Sequence, residues 1–187
     1  MKRIPVSVVV LLALVLAPAG LAGCGGGDDA ADTTSGGAAG TASATGTGSA
    51  GGEALSKDEF IQRGDAICAG LQKRAAALGR EAQALSGVTL DDPKTTKAAA
   101  AIWHKQVDLV AELKRGFDAL GPPPDGEETT VGDFRSDISR ALALGRQIAT
   151  ALDKGDDPTA LVGDYSQLID DSNATAGLIG FKVCGQT

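Results

Sequence analysis

Three cysteines, one histidine and a handful of aromatic side chains hold nearly all the chemistry this 187-residue chain could perform. Cys24, Cys68 and Cys184 make an odd number, which calls for an explanation wherever disulfides form, and none of them stands in a CxxC redox spacing. His104 is the only histidine. It lacks the Glu-x-x-His spacing that di-iron bundles use, and a lone imidazole lacks the partners of a zinc site, so it reads as a half-exposed neighbour of Trp103. Asp156-Asp157, Asp164 and Asp170-Asp171 make the last quarter acidic, yet they do not fall into the spacing of a calcium loop and read as a solvated face. There is no Gly-x-Ser-x-Gly, P-loop or dinucleotide fingerprint. The expectation is a chain with no catalytic residue, no metal and no cofactor. Trp103, Phe117, Phe134 and Tyr165 could line a pocket for an apolar ligand, although aromatics at helical spacing more often fill a core.

Charge narrows the classes of partner. Acidic residues outnumber basic ones by 24 to 17, and such a surface repels phosphate backbones, whose binding depends on Lys and Arg. No nucleic-acid partner is expected, and the acidity reads as a solubility feature.

The first residues form an address. Lys2 and Arg3 precede an apolar run from Ile4 through Leu16, and small residues from Ala17 to Gly23 close it, which is the grammar of a secretory signal peptide over 1–23. The run is short for a membrane span, which takes about 20 apolar residues. Leu21-Ala22-Gly23-Cys24 closely resembles the lipobox of bacterial lipoproteins, in which the cysteine thiol receives a diacylglyceryl group and becomes the new N-terminus. The resemblance implies lipidation at Cys24, hence a membrane partner through a lipid anchor on the extracytoplasmic face. Losing Lys2 and Arg3 with the leader leaves 24 acidic against 15 basic residues, a net charge of −9. With Cys24 lipidated, Cys68 and Cys184 remain as one pair, and in an oxidising compartment they are expected to form a disulfide. From Cys24 to residue 54 the chain is nearly all Gly, Ala, Ser, Thr and Asp. Such a segment buries too little to offset its ordering entropy, so it reads as a disordered tether with an r.m.s. span of about 30 Å.

The folded domain, 55–187, reads as four amphipathic helices. Ser56 and Glu59 form a capping box, with Leu55 and Phe60 at the spacing of a hydrophobic staple. Phe60, Gly64, Ile67, Leu71, Ala75, Leu78, Ala82 and Leu85 then mark one face of a helix ending near Ser86-Gly87. Asp92-Pro93 opens the second helix, whose stripe is Ala99, Trp103, Gln106 or Val107, Val110, Leu113, Phe117 and Leu120 before Gly121 and three prolines. The third starts near Thr129 or Thr130 and carries Val131, Phe134, Ile138, Leu142, Gly145, Ile148 and Leu152 as far as Gly155. Asp157-Pro158 repeats the Asp-Pro entry, and the fourth helix shows Leu161, Tyr165, Leu168, Ser172 and Ile179. Short loops between such helices predict an all-α, antiparallel up-down-up-down four-helix bundle. In that topology the shorter fourth helix returns near the level of Cys68, about 18 Å up the first helix, which agrees with the Cys68–Cys184 pairing.

The domain, from Leu55-Ser56-Lys57-Asp58-Glu59-Phe60-Ile61 and Gly64-Asp65-Ala66-Ile67-Cys68 to Gly180-Phe181-Lys182-Val183-Cys184-Gly185, resembles small lipoproteins and secreted helical proteins of high-GC Gram-positive bacteria. These pair an early cysteine of the first helix with a terminal Cys-Gly. The resemblance implies a disulfide-linked bundle in the cell envelope and brings no activity with it. Two functions follow as expectations. The first is a non-enzymatic module whose surface docks another envelope protein or a wall component. The alternative is a small-molecule binding or sensing protein that uses the bundle interior.

Overall fold

The computed structural model describes residues 55–85, 90 and 92–184, and these form four α-helices with no strand among them. The leader, Cys24 and the tether expected over 24–54 lie outside the described residues. The helices are α1 (Lys57–Gln83), α2 (Pro93–Asp118), α3 (Glu128–Lys154) and α4 (Thr159–Ile179). α1 packs along α2, α2 along α3 and α3 along α4, in an all-α four-helix bundle whose consecutive helices run antiparallel.

Local signals set the helix ends. Ser56 Oγ accepts from the Glu59 N–H while Glu59 reaches back to the Ser56 N–H, so the capping box closes in both directions. Leu55 packs against the core cluster to which Phe60 belongs. α1 ends at Gln83 with a turn through Ala84 and Leu85, and the expected stop at Ser86-Gly87 falls outside the described residues. Asp92 caps α2 by accepting from Lys94 N and Thr95 N, with Pro93 at the first helical position. The second Asp-Pro entry differs in register. Pro158 itself occupies the cap position of α4, one residue later than the expected reading. Asp157 still accepts from Thr159 N at 2.9 Å, because a short carboxylate can bond the backbone two residues on. α3 begins at Glu128, slightly earlier than Thr129, and Gly155 and Gly180 end α3 and α4 in the left-handed conformation that glycine permits.

The core has two unequal parts. The larger cluster joins α2, α3 and α4 to the lower end of α1, and the smaller holds Leu71, Ala75, Leu78 and Ala82 of α1 against Ile102 and Leu109 of α2. Ile102 and Leu109 lie beside the expected α2 stripe, because α2 is covered on two sides, by α1 and by α3. At the base, Phe60, Phe117, Phe134 and Phe181 form an aromatic plug with ring centroids 5.0 to 6.0 Å apart. Arg135 locks the α2–α3 corner: its Nη2 donates to the carbonyls of Phe117 and Gly121 at 2.9 and 2.6 Å. Phe117 lies in the last turn of α2 and Gly121 in the corner beyond it, so one guanidinium ties the helix end to its loop.

Candidate functional site

The first and last helices, α1 and α4, do not pack closely against each other along their length. Their links gather at the base. Cys68 and Cys184 are joined in a disulfide with Cα atoms 5.3 Å apart. One turn below Cys68, the Asp65 carboxylate accepts from the N–H groups of Lys182 and Val183 at 3.0 and 2.8 Å, which pins the tail that follows α4. Phe60 stacks on Phe181 at the same level. Higher up, the cross-helix ion pairs of α1 go to α2, through Arg74–Glu112 and Glu81–Lys105. The upper part of α1 therefore leans on α2, and a seam opens between α1 and α4 above the disulfide.

A cavity of about 100 Å³ lies along that seam and is reached by all four helices. α1 supplies Cys68, Leu71 and Ala75, spaced three and four residues apart and hence on one face. Leu109, Val110 and Leu113 of α2, with Phe134, Ile138 and Ala141 of α3, make the floor. The α4 wall is Tyr165, Ile169, Ser172 and Asn173, again a single helical stripe, and Cys184 closes the lower end. No lining residue is charged.

Polar groups stand at the two ends of this apolar slot. At the upper end the Gln106 amide donates to the Tyr165 hydroxyl at 3.3 Å. Burial raises the Tyr165 pKa above its usual value, and the Gln106 hydrogen bond opposes that shift. Toward the disulfide, Ser172 is buried and Asn173 Nδ2 is buried without a hydrogen-bond partner. A buried donor left unpaired costs about 1–3 kcal/mol, and this one is enclosed by its own protein neighbours beside the groove.

The four aromatics separate. Phe134 and Tyr165 line the cavity. Trp103 sits behind Tyr165 in an edge-on contact at 5.2 Å, and Phe117 is wholly buried in the basal plug, so neither forms a wall. Cys24 lies outside the described residues. His104 is exposed and pairs with Asp153 Oδ2 at 3.0 Å. Among the described residues no group of three or more His, Cys, Asp or Glu could hold a metal ion, and no helix is long and apolar enough to cross a membrane. Ser172 and Asn173 carry the most informative chemistry of the site. Ser172 falls on the α4 stripe by its spacing, whereas Asn173 has only its one-residue offset to suggest a second inward-facing position.

No family model, curated protein or solved structure matches the chain.

Proposed function

We propose that this protein is a lipid-anchored, extracytoplasmic bundle of the bacterial cell envelope that binds a small apolar molecule in the α1–α4 groove without transforming it. The observation that carries the reading is an uncharged cavity at an open helix seam, with a buried amide donor unpaired at one end. Apolar clefts with a few convergent polar groups, set between helices, are the common form of small-molecule sites. Absence of catalysis is supported by the lining, in which Tyr165 is the only side chain that titrates, with no nucleophile, base and orienter set beside it. The lipobox-like Leu21-Ala22-Gly23-Cys24 supports the anchor and the location.

Docking of another envelope protein is the second use of such a module. Among the described residues, Leu178 is the only exposed large hydrophobic residue, and single exposed leucines are ordinary on protein surfaces. The groove favours the ligand reading.

Native mass spectrometry of the full chain extracted from bacterial membranes tests it. A covalent lipid mass on Cys24 together with a non-covalent small-molecule mass is expected. A lipidated chain that carries no such mass, and acquires none from a panel of apolar compounds, would overturn the ligand reading.

A further inference from the structure

The tail after α4 is held against the rest of the base at successive points before the disulfide is reached. Gly180 turns the chain in the left-handed conformation, and the Phe181 N–H donates back to the Ala176 carbonyl at 3.1 Å, which closes α4 and sets the direction in which the chain leaves it. The Phe181 ring packs among Phe60, Phe117 and Phe134, in room that exists because Gly64 has no side chain. The Asp65 carboxylate then takes the next two amides. Its Oδ1 accepts from Lys182 at 3.0 Å and from Val183 at 2.8 Å, and its Oδ2 accepts from Lys182 at 3.0 Å. Cys184 follows at once, opposite Cys68, which stands one helical turn beyond Asp65 on α1.

None of these contacts uses a sulfur atom. Without them, the four residues after Gly180 could carry Cys184 as far as about 14 Å away, at about 3.5 Å per residue, and the two sulfurs would meet only by diffusion of the tail. With them, Cys184 Sγ lies beside α1 and 3.5 Å from the Gly64 carbonyl oxygen, which offers a reduced thiol a weak hydrogen-bond acceptor. Backbone N–H groups bonded to a carboxylate make hydrogen bonds about twice as strong as neutral pairs, so Asp65 is a firm polar clasp next to the bond.

We infer that Asp65 is the positioning residue of the Cys68–Cys184 bond: its carboxylate docks the tail while both cysteines are still thiols. The bond therefore closes, and recloses after reduction, between partners already in place. This does not depend on any ligand in the groove. With oxidised glutathione as the oxidant, one cysteine thiolate attacks the glutathione disulfide and releases one glutathione, and the second cysteine thiolate displaces the other from the mixed disulfide. Two cysteine thiols and one glutathione disulfide become one protein disulfide and two glutathione thiols, and the cysteine protons end on glutathione. Docking favours the second, intramolecular displacement, because it holds the two reacting groups together.

Two measurements on the full chain in detergent micelles test this role. In amide hydrogen exchange of the fully reduced protein, Lys182 and Val183 should stay protected from exchange, and Asp65→Ala should abolish that protection. At equilibrium with glutathione, Asp65→Ala should lower the constant for closing the disulfide by about tenfold, which is about 30 mV in potential. Asp65→Asn, which keeps one carbonyl oxygen as an acceptor, should fall between the two. Leu78→Ala, which empties part of the smaller core cluster far from the tail, lowers overall stability and should leave the glutathione equilibrium unchanged. Exchange of Lys182 and Val183 at the open-chain rate in the reduced protein, with or without the helices, would overturn the inference. An Asp65→Ala protein with the wild-type glutathione equilibrium would overturn it as well. If Leu78→Ala moves that equilibrium as far as Asp65→Ala does, the bond reports only overall stability and the positioning role is overturned. Should Asp65→Ala not fold, Asp65→Asn and the exchange of the reduced wild-type chain decide the matter.

Discussion

Tyr165 belongs to the core and to the groove at once. Its ring packs against Trp103, and its hydroxyl takes the Gln106 amide hydrogen at the upper end of the slot. Burial disfavours the tyrosinate, so the folded-state pKa lies above the ordinary value of 10.0. The sign of the linkage follows. The fold favours the protonated hydroxyl, so this contribution is fully present below the unfolded pKa and is lost as pH rises through the higher folded value. Because it is the only tyrosine, alkaline difference absorbance reads it alone. The native protein should ionise above the midpoint seen in denaturant, with stability falling over the same alkaline window. Coincident midpoints would mean that the hydroxyl is open to water.

Among the helices, α1 and α4 tolerate glycine for different reasons at different points. Gly64 lets the backbone of α1 approach the Phe181 ring, where an added Cβ would come within 2.4 Å of Cε1. Gly70 and Gly177 face open space. Glycine in a helix interior is about 0.8 to 1 kcal/mol less favourable than alanine. Gly70→Ala and Gly177→Ala should therefore each raise stability by about 1 kcal/mol in urea unfolding, while Gly64→Ala should lower it by displacing the ring and the tail that Asp65 holds. A stabilising Gly64→Ala would show that the basal plug is looser than its ring distances indicate. The periodicity of α1 marks Gly64 as inward-facing, but only Phe181, arriving from far along the chain, makes its lack of a side chain necessary.

For the molecule as a whole, the disulfide is the staple at the base of an otherwise open seam. It joins residues 116 apart in sequence, and the chain-entropy model assigns loops of that size about 4.7 kcal/mol. Domains of this size have only about 5–15 kcal/mol in total, and this core is rich in alanine and glycine. Reduction, or the pair Cys68→Ser and Cys184→Ser, should lower the unfolding free energy by about 4 to 5 kcal/mol and leave a marginal fold, as read from denaturant midpoints with and without reductant. A loss below about 1 kcal/mol would mean that Asp65 and the aromatic plug hold the base alone, and that the loop is already restricted in the unfolded chain.

The sequence by itself determined the four helices, most of their ends and the faces they bury. These depend on contacts within a few residues: the Ser56–Glu59 capping box, Asp92 before Pro93, the glycines after α3 and α4, and apolar side chains every three or four positions. Even so, Asp157-Pro158 shows a local signal misread by one residue, since the carboxylate serves the helix as well from one position earlier. The tertiary structure decided which helices leave a seam. An amphipathic pattern says that a face is covered, and it does not name the neighbour that covers it. Hence Ile102 and Leu109 meet α1 outside the main α2 stripe, and only two of the four candidate aromatics reach the cavity. The role of Asn173 was hidden for the same reason. An amide near the end of a helix reads as a solvent-facing residue until the packing of distant segments encloses its Nδ2 beside the groove without a partner.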